Sequence, residues 1–107
     1  MNKNDTIATF IADDNLVERT AALFKSMSDP TRVKILYVLS QGEMNVTGIA
    51  NTLGMSQSSI SHQLAILRTH NIIKVQRVAR QAIYSLDDDH VRSIFSDGIT
   101  HVKHHTF

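Results

Sequence analysis

The hydrophobic spacing of this 107-residue chain changes once, just after His70, and that change limits its folds more than any other feature. Before it, apolar residues recur at helical intervals. After it, Ile72-Ile73-Lys74-Val75-Gln76-Arg77 and Ala82-Ile83-Tyr84-Ser85-Leu86 read as two strands around a tip of Val78-Ala79-Arg80-Gln81. The helical part divides at clear signals. Asp13 and Asp14 precede a stripe of Leu16, Val17, Thr20, Leu23, Phe24 and Met27, which predicts a first helix over roughly 15–27. Asp29-Pro30 restarts a helix, with aspartate as cap and proline where its missing N–H is harmless; Val33, Leu36, Tyr37 and Leu39 line it, and it ends near Gly42. A short helix over about Val46–Leu53 stops at Gly54, a left-handed cap position. Ser56 then caps a helix over about Gln57–His70 with Ile60, Leu64 and Leu67 turned inward. Two helices joined through Leu53-Gly54-Met55-Ser56 make a helix-turn-helix, and a hairpin directly behind it makes a winged helix. The expected class is mainly α with a β-hairpin (α+β), one domain over residues 1–107.

Charge is placed unevenly along this frame. The formal net charge is only +1, yet no acidic residue occurs from Met44 to Leu86, where Arg68, Lys74, Arg77 and Arg80 lie. A surface facing a polyanion needs such a stretch, because every carboxylate in it would oppose a phosphate contact. Within that window the start of the second helix of the pair reads Ser56-Gln57-Ser58-Ser59, then Ser61-His62-Gln63. That end of a helix-turn-helix enters the major groove, where glutamine and serine can meet base edges. One serine serves as the cap; the remaining hydroxyls, amides and His62 exceed what capping requires. Arg77 and Arg80 on the hairpin would touch the backbone or an adjacent minor groove, positioning rather than specifying. The expected partner is double-stranded operator DNA.

The C-terminal stretch carries a second kind of chemistry. Asp88 and His90 form D-x-H, and ten residues later His101 and His104 form H-x-x-H. Asp87-Asp88-Asp89 favours the start of a helix, on which Val91, Ile94, Phe95, Gly98 and Val102 make an apolar stripe bordered by His90, Asp97, His101 and His104. A helix rises about 1.5 Å per residue, so His90 and His101 stand roughly 16 Å apart. Zinc holds nitrogen and oxygen ligands at about 2 Å, and one helix cannot bring both ends to one ion. Two antiparallel copies can, giving two sites of three nitrogens and one oxygen per homodimer. The stripe itself, with no later element to cover it, asks for a twin helix. His62 and His70 stay outside this set: His62 lies on the DNA-facing helix and His70 at its end.

With both halves in view, the chain resembles the ArsR/SmtB family of metal-sensing winged-helix repressors. LFKSMSDPTRVKILYVL (23–39), MSQSSISHQLAILR (55–68), AIYSLDDDHV (82–91) and the terminal H-x-x-H carry the likeness, which covers nearly the whole chain. The histidine and aspartate pattern is similar to that of the zinc and cobalt sensors, with the metal on the C-terminal helices. The resemblance implies Asp88 and His90 from one protomer, His101 and His104 from the other, and a homodimer through N- and C-terminal helices. It implies a repressor that binds its operator metal-free and releases efflux or resistance genes when zinc or cobalt(II) binds. The thiol sensors of the family carry a cysteine pair where this chain reads Met44-Asn45-Val46-Thr47-Gly48, and a chain without cysteine cannot sense arsenite, lead or thiolate-bound cadmium there. Asp97 is expected to steer His101 rather than replace Asp88.

Other classes fit less well. A zinc hydrolase keeps an open coordination position, which four ligands would close, so no enzyme is expected. A winged helix that binds DNA without a metal effector is the alternative. No segment is long and apolar enough to span a membrane and the N-terminal residues lack a leader pattern, so a cytoplasmic protein is expected.

Overall fold

The computed structural model describes residues 2–105, in the order α1 (Lys3–Ala12), α2 (Asp14–Ser26), α3 (Pro30–Ser40), α4 (Val46–Leu53), α5 (Gln57–Thr69), β1 (Ile73–Val78), β2 (Gln81–Leu86) and α6 (Asp89–Lys103). The helix boundaries follow from local capping. Asp29 accepts from the Arg32 N–H and Asn45 from the Gly48 N–H, while Gly54 ends α4 at φ 64°, ψ 36°. Ser56 caps α5 by accepting from the Ser59 N–H at 3.1 Å. These are the signals that the sequence displays, and α3 to α5 fall where they predict.

The helix α1 is a departure. The sequence signals expected helix only from about residue 15, yet a ten-residue helix precedes it, capped by Asn2 and divided from α2 at Asp13. None of its residues is buried, and its stripe of Ile7, Phe10 and Ile11 is about half exposed. A helix whose apolar face meets little of its own chain gives a weak signal in that chain. The radius of gyration, 16.3 Å, exceeds the roughly 13 Å of a compact chain of this length, as projecting helices require.

The closed part of the core lies between α3, α4, α5 and the hairpin. Ile35, Leu36, Leu39, Ile49, Ile60, Leu64, Leu67, Ile72 and Ile73 are sealed from solvent, with Leu86, Val91 and Phe95 nearly so. Burial of this kind contributes roughly 1.5–3 kcal/mol for each large side chain, so α5 is held by its Ile60, Leu64 and Leu67 face and presents the opposite one. The two strands pair antiparallel from Ile73↔Leu86 to Val78↔Gln81, and Met44 adds a short bridge to Tyr84. Asn45 Nδ2 donates to Gln81 Oε1 at 2.9 Å, which ties the hairpin base to the start of α4.

Ala79 and Arg80 turn the hairpin at φ 49° and 73°, the left-handed backbone that two-residue hairpin loops need and that glycine or asparagine normally supplies. The conformation costs a side-chain-bearing residue roughly 1–2 kcal/mol. Glycine's greater freedom when unfolded removes about 0.5–1 of that gain. Arg80→Gly should therefore raise the unfolding free energy by about 0.5–1 kcal/mol in urea denaturation; unchanged or lower stability would show that the turn carries no strain.

Candidate nucleic-acid and metal interfaces

The outer face of α5 follows from its inner one. At about 100° per residue, Ser58 and His62 lie opposite Ile60, Leu64 and Leu67, with Ser61 to one side of them. Ser58, Ser61 and His62 are exposed, as are Gln57 and Ser59. Ser56 is exposed as well, although its hydroxyl is engaged as the cap. Gln63 differs from its neighbours: it is half-buried on the flank turned toward α2 and α3, where its Oε1 accepts from Arg32 Nη1 at 3.0 Å. Nothing in the sequence pairs residues 32 and 63, so this contact was not legible there. On the hairpin, Arg77 and Arg80 are both exposed, Arg77 in line with the inward Ile73 and Val75 but past the edge of the core.

The metal candidates occupy the two ends of α6. Asp88 is its N-cap, with Oδ1 accepting from the Val91 N–H at 2.9 Å. That hydrogen bond is the main cause that holds the Asp88 carboxyl below the usual carboxylate range; loss of solvent opposes it, and the neighbouring His90 adds to it. The carboxylate is thus ionised at neutral pH, and its other oxygen, Oδ2, lies 3.6 Å from His90 Nδ1. One residue divides its two oxygens between capping the helix and facing the imidazole. At the far end, His101 and His104 are exposed one turn apart, and the rings of His101 and His105 stand 4.2 Å apart. Among the described residues no single-chain group of three or more candidate ligands comes together, as a set divided between the ends of one helix dictates. The chain's own chemistry fits a divalent ion with nitrogen and oxygen donors: an ionised carboxylate and exposed imidazoles, with no thiol. Where the thiol sensors would carry their cysteines, the Met44 side chain packs on Gly48, leaving 2.6 Å between a would-be Cβ and Met44 Cγ.

The apolar stripe of α6 is divided in two. Val91 and Phe95 face the core with Ile99 packed against it, whereas Ile94 and Val102 are 38% and 56% exposed. Together with Gly98 they line an open apolar cleft of about 530 Å³ against Phe24, Met27 and Val33. A second cavity, about 550 Å³, brings Asp88 and His90 beside Arg19 of α2 and His70 and Asn71 at the end of α5. The sequence expected the whole stripe to seek a partner; half of it is used within the chain.

A winged helix-turn-helix with a polar helix start and a basic wing is the architecture of a DNA-binding regulator. Residues 29–75 match the family described as bacterial regulatory protein, arsR family. The chain is 35% identical to the HTH-type transcriptional regulator NmtR of Mycobacterium tuberculosis over 92 residues, 86% of this chain and 77% of that protein. It is 34% identical to the transcriptional repressor SmtB homolog of Synechocystis over 80% of its own length, and spans 65% of that relative. The homodimeric winged helix-turn-helix DNA-binding domain of a possible ArsR-family regulator from Mycobacterium bovis superposes with a TM-score of 0.77 at 26% identity, covering 87% of this chain and 90% of that one. The protein belongs to the arsR family of bacterial regulatory proteins.

The double duty of Asp88 separates by substitution. Asparagine caps a helix about as well as aspartate, so Asp88→Asn should leave thermal stability nearly unchanged, while Asp88→Ala should lose about 0.5–2 kcal/mol. Equal loss in both would mean that charge, and not the cap, supports the start of α6.

Proposed function

We propose that this chain is a metal-responsive transcriptional repressor. Its homodimer binds operator DNA when metal-free, and zinc or cobalt(II) at the paired C-terminal helices lowers that affinity and derepresses metal efflux or resistance genes. The observation that carries this reading is the placement of an ionised Asp88 beside His90 at one end of α6, and of exposed His101 and His104 at the other, along a helix with an uncovered apolar cleft. The names of the Synechocystis and Mycobacterium relatives, a repressor and a transcriptional regulator, point the same way.

Dimerisation supplies what the single chain lacks. Ile7, Phe10 and Ile11 on α1 and Ile94 and Val102 on α6 are the exposed apolar residues at the two termini, and a two-fold axis between antiparallel α6 helices would cover them. Asp88 and His90 would then meet His101 and His104 of the twin chain. An ion bound there adds a cross-link between the two protomers. Asp88, fixed by the Val91 N–H, supplies the oxygen; His90, His101 and His104 supply nitrogens; Asp97, four residues before His101, orients that imidazole. Because Asp88 and His90 share a cavity with His70 and Asn71, a shift of α6 would change the surroundings of the end of α5. Ser56, Gln57, Ser58, Ser59, Ser61 and His62 form the major-groove end, with Gln63, which the sequence placed in the same set, turned to the flank that holds Arg32, and Arg77 and Arg80 on phosphates or an adjacent minor groove. No helix of the described residues is long and apolar enough to cross a membrane, and a DNA-bound regulator works in the cytoplasm.

Operator titrations of the metal-free protein, repeated with zinc, test the reading directly: affinity should fall by roughly 5–150-fold on adding zinc, the usual span of allosteric coupling, and equal affinity would leave a DNA-binding protein without a metal effector. Complementation tests the ligands. Asp88→Ala/His90→Ala in one chain and His101→Ala/His104→Ala in another should each abolish tight zinc binding, and mixing them should restore about one zinc per heterodimer, because only the mixed dimer holds one complete set. Heterodimers that form without regaining zinc would show that the ligands do not bridge the chains.

The wing makes a separate prediction. Arg77→Ala/Arg80→Ala should weaken binding about equally across DNA sequences and flatten the salt dependence by about one unit per lost phosphate contact. Loss of sequence preference at an unchanged salt slope would make these arginines base readers.

A further inference from the structure

Arg32 sits third in α3, and its guanidinium makes two hydrogen bonds to neutral groups. Nε donates to the Ser26 carbonyl at 2.7 Å and Nη1 to Gln63 Oε1 at 3.0 Å. Among the described residues no carboxylate lies within ion-pair distance of it. The nearest acidic cap, Asp29, uses its Oδ2 on the backbone N–H of residue 32. A half-buried cation without a counter-charge is costly unless its donors are well used.

Both of its partners are informative. Ser26 is the one buried polar residue among those described, and it ends α2, where the helix dipole places partial negative charge that a cation complements. Gln63 lies midway along α5, on the flank shared with Ile66 and His70 rather than on the outer face of Ser58, Ser61 and His62. On the open side, Lys25, Ser26, Arg32, Ile66 and His70 line a cleft of about 410 Å³. Apolar packing therefore does not clamp the guanidinium from that side, and its hydrogen bonds hold it.

We infer that Arg32 is a positioning residue that fixes the angle of α5 against the end of α2, and that Gln63 serves as its anchor on α5 rather than as a reader of bases. The inference rests on the proposed binding of operator DNA by α5. It gives α2, whose Leu16 and Phe24 are exposed, a direct polar connection to the recognition helix. A tilt in α5 misaligns every groove-facing side chain together, so loss of the strut degrades sequence discrimination while leaving phosphate contacts in number.

Arg32→Lys keeps the charge but cannot reach both acceptors in a fixed fork. Gln63→Met removes the acceptor from the other end and sits on a helix flank that tolerates it. In the metal-free full chain, each variant should lower the ratio of operator to random-sequence affinity by roughly tenfold, the worth of one charge-assisted hydrogen bond. The salt slope should stay at the parent value, and the double variant should be no worse than the poorer single one. A slope flattened by about one unit in Arg32→Lys would make Arg32 a phosphate contact and overturn the inference. A changed base preference at one operator position in Gln63→Met alone would make Gln63 a reader, with the same consequence, and additive or absent losses also overturn it. Should Arg32→Lys fail to fold, Gln63→Met carries the same expectations unaided. A parent protein that does not prefer its operator at all would instead remove the DNA-binding reading on which this rests.

Discussion

Side chains from Ile35 to Ile73 close a core on themselves, and the rest of the molecule is arranged around what that core leaves out. Ile60, Leu64 and Leu67 fix one face of α5 to it; Ile72 and Ile73 lead straight into the hairpin; Leu86, Val91 and Phe95 bring the start of α6 back against it. The orientation of the recognition helix and the wing is therefore set within one chain. The apolar residues of α1 and the outer half of α6 are not so used. A 107-residue chain buries a limited fraction of its surface alone, and here Ile94 and Val102 of α6 join Phe24 and Val33 in one uncovered apolar cleft, with a second exposed group, Ile7, Phe10 and Ile11, on α1. Such collected faces mark an interaction surface. The DNA-reading part packs on the core of its own chain, while the part that would sense metal is incomplete in it.

Much of this division was legible in the sequence, for physical reasons. Caps act within a turn, so Asp29-Pro30, Gly54 and Ser56 announce α3, α4 and α5 to within a residue. Strand alternation around a basic tip located the wing. Three features were not legible. The helix α1 has no buried face, and without core contacts its few isoleucines and Phe10 gave no period strong enough to stand out. The stripe of α6 was read as one surface, but it meets two environments: Val91 and Phe95 pack on the core, while Ile94 lies to one side of them and Val102 further along the helix, both outside it. Long-range polar contacts such as Arg32 with Gln63 leave no local trace at all, because neither partner constrains the other's neighbours in sequence.

The metal candidates show how one residue type answers to two demands. An aspartate at the N-cap position is already ionised and already oriented by the backbone, which is what an oxygen ligand requires. Asp88 thus presents an oxygen toward His90 without a separate device to hold it. At the other end His101 and His104 are exposed in the last turn of α6, so binding there would also have to order two imidazole side chains.

In the proposed regulator, coupling between metal and DNA would have to arise from a difference in metal affinity between dimer shapes, since an ion that bound both equally would shift neither. The cavity that joins Asp88 and His90 to His70 and Asn71 brings that half of the site to the C-terminal end of α5, and Arg32 holds the flank of α5 nearer its start. A helix gripped by its core face and anchored on one flank is freest to tilt about that face. A tilt of a few degrees about the Ile60–Leu67 face moves Ser58 and His62 relative to a groove while leaving the hydrophobic contacts nearly intact. In the proposed regulator such a tilt would change recognition while the core contacts persist, which is the mechanical condition for two states that must both stay folded.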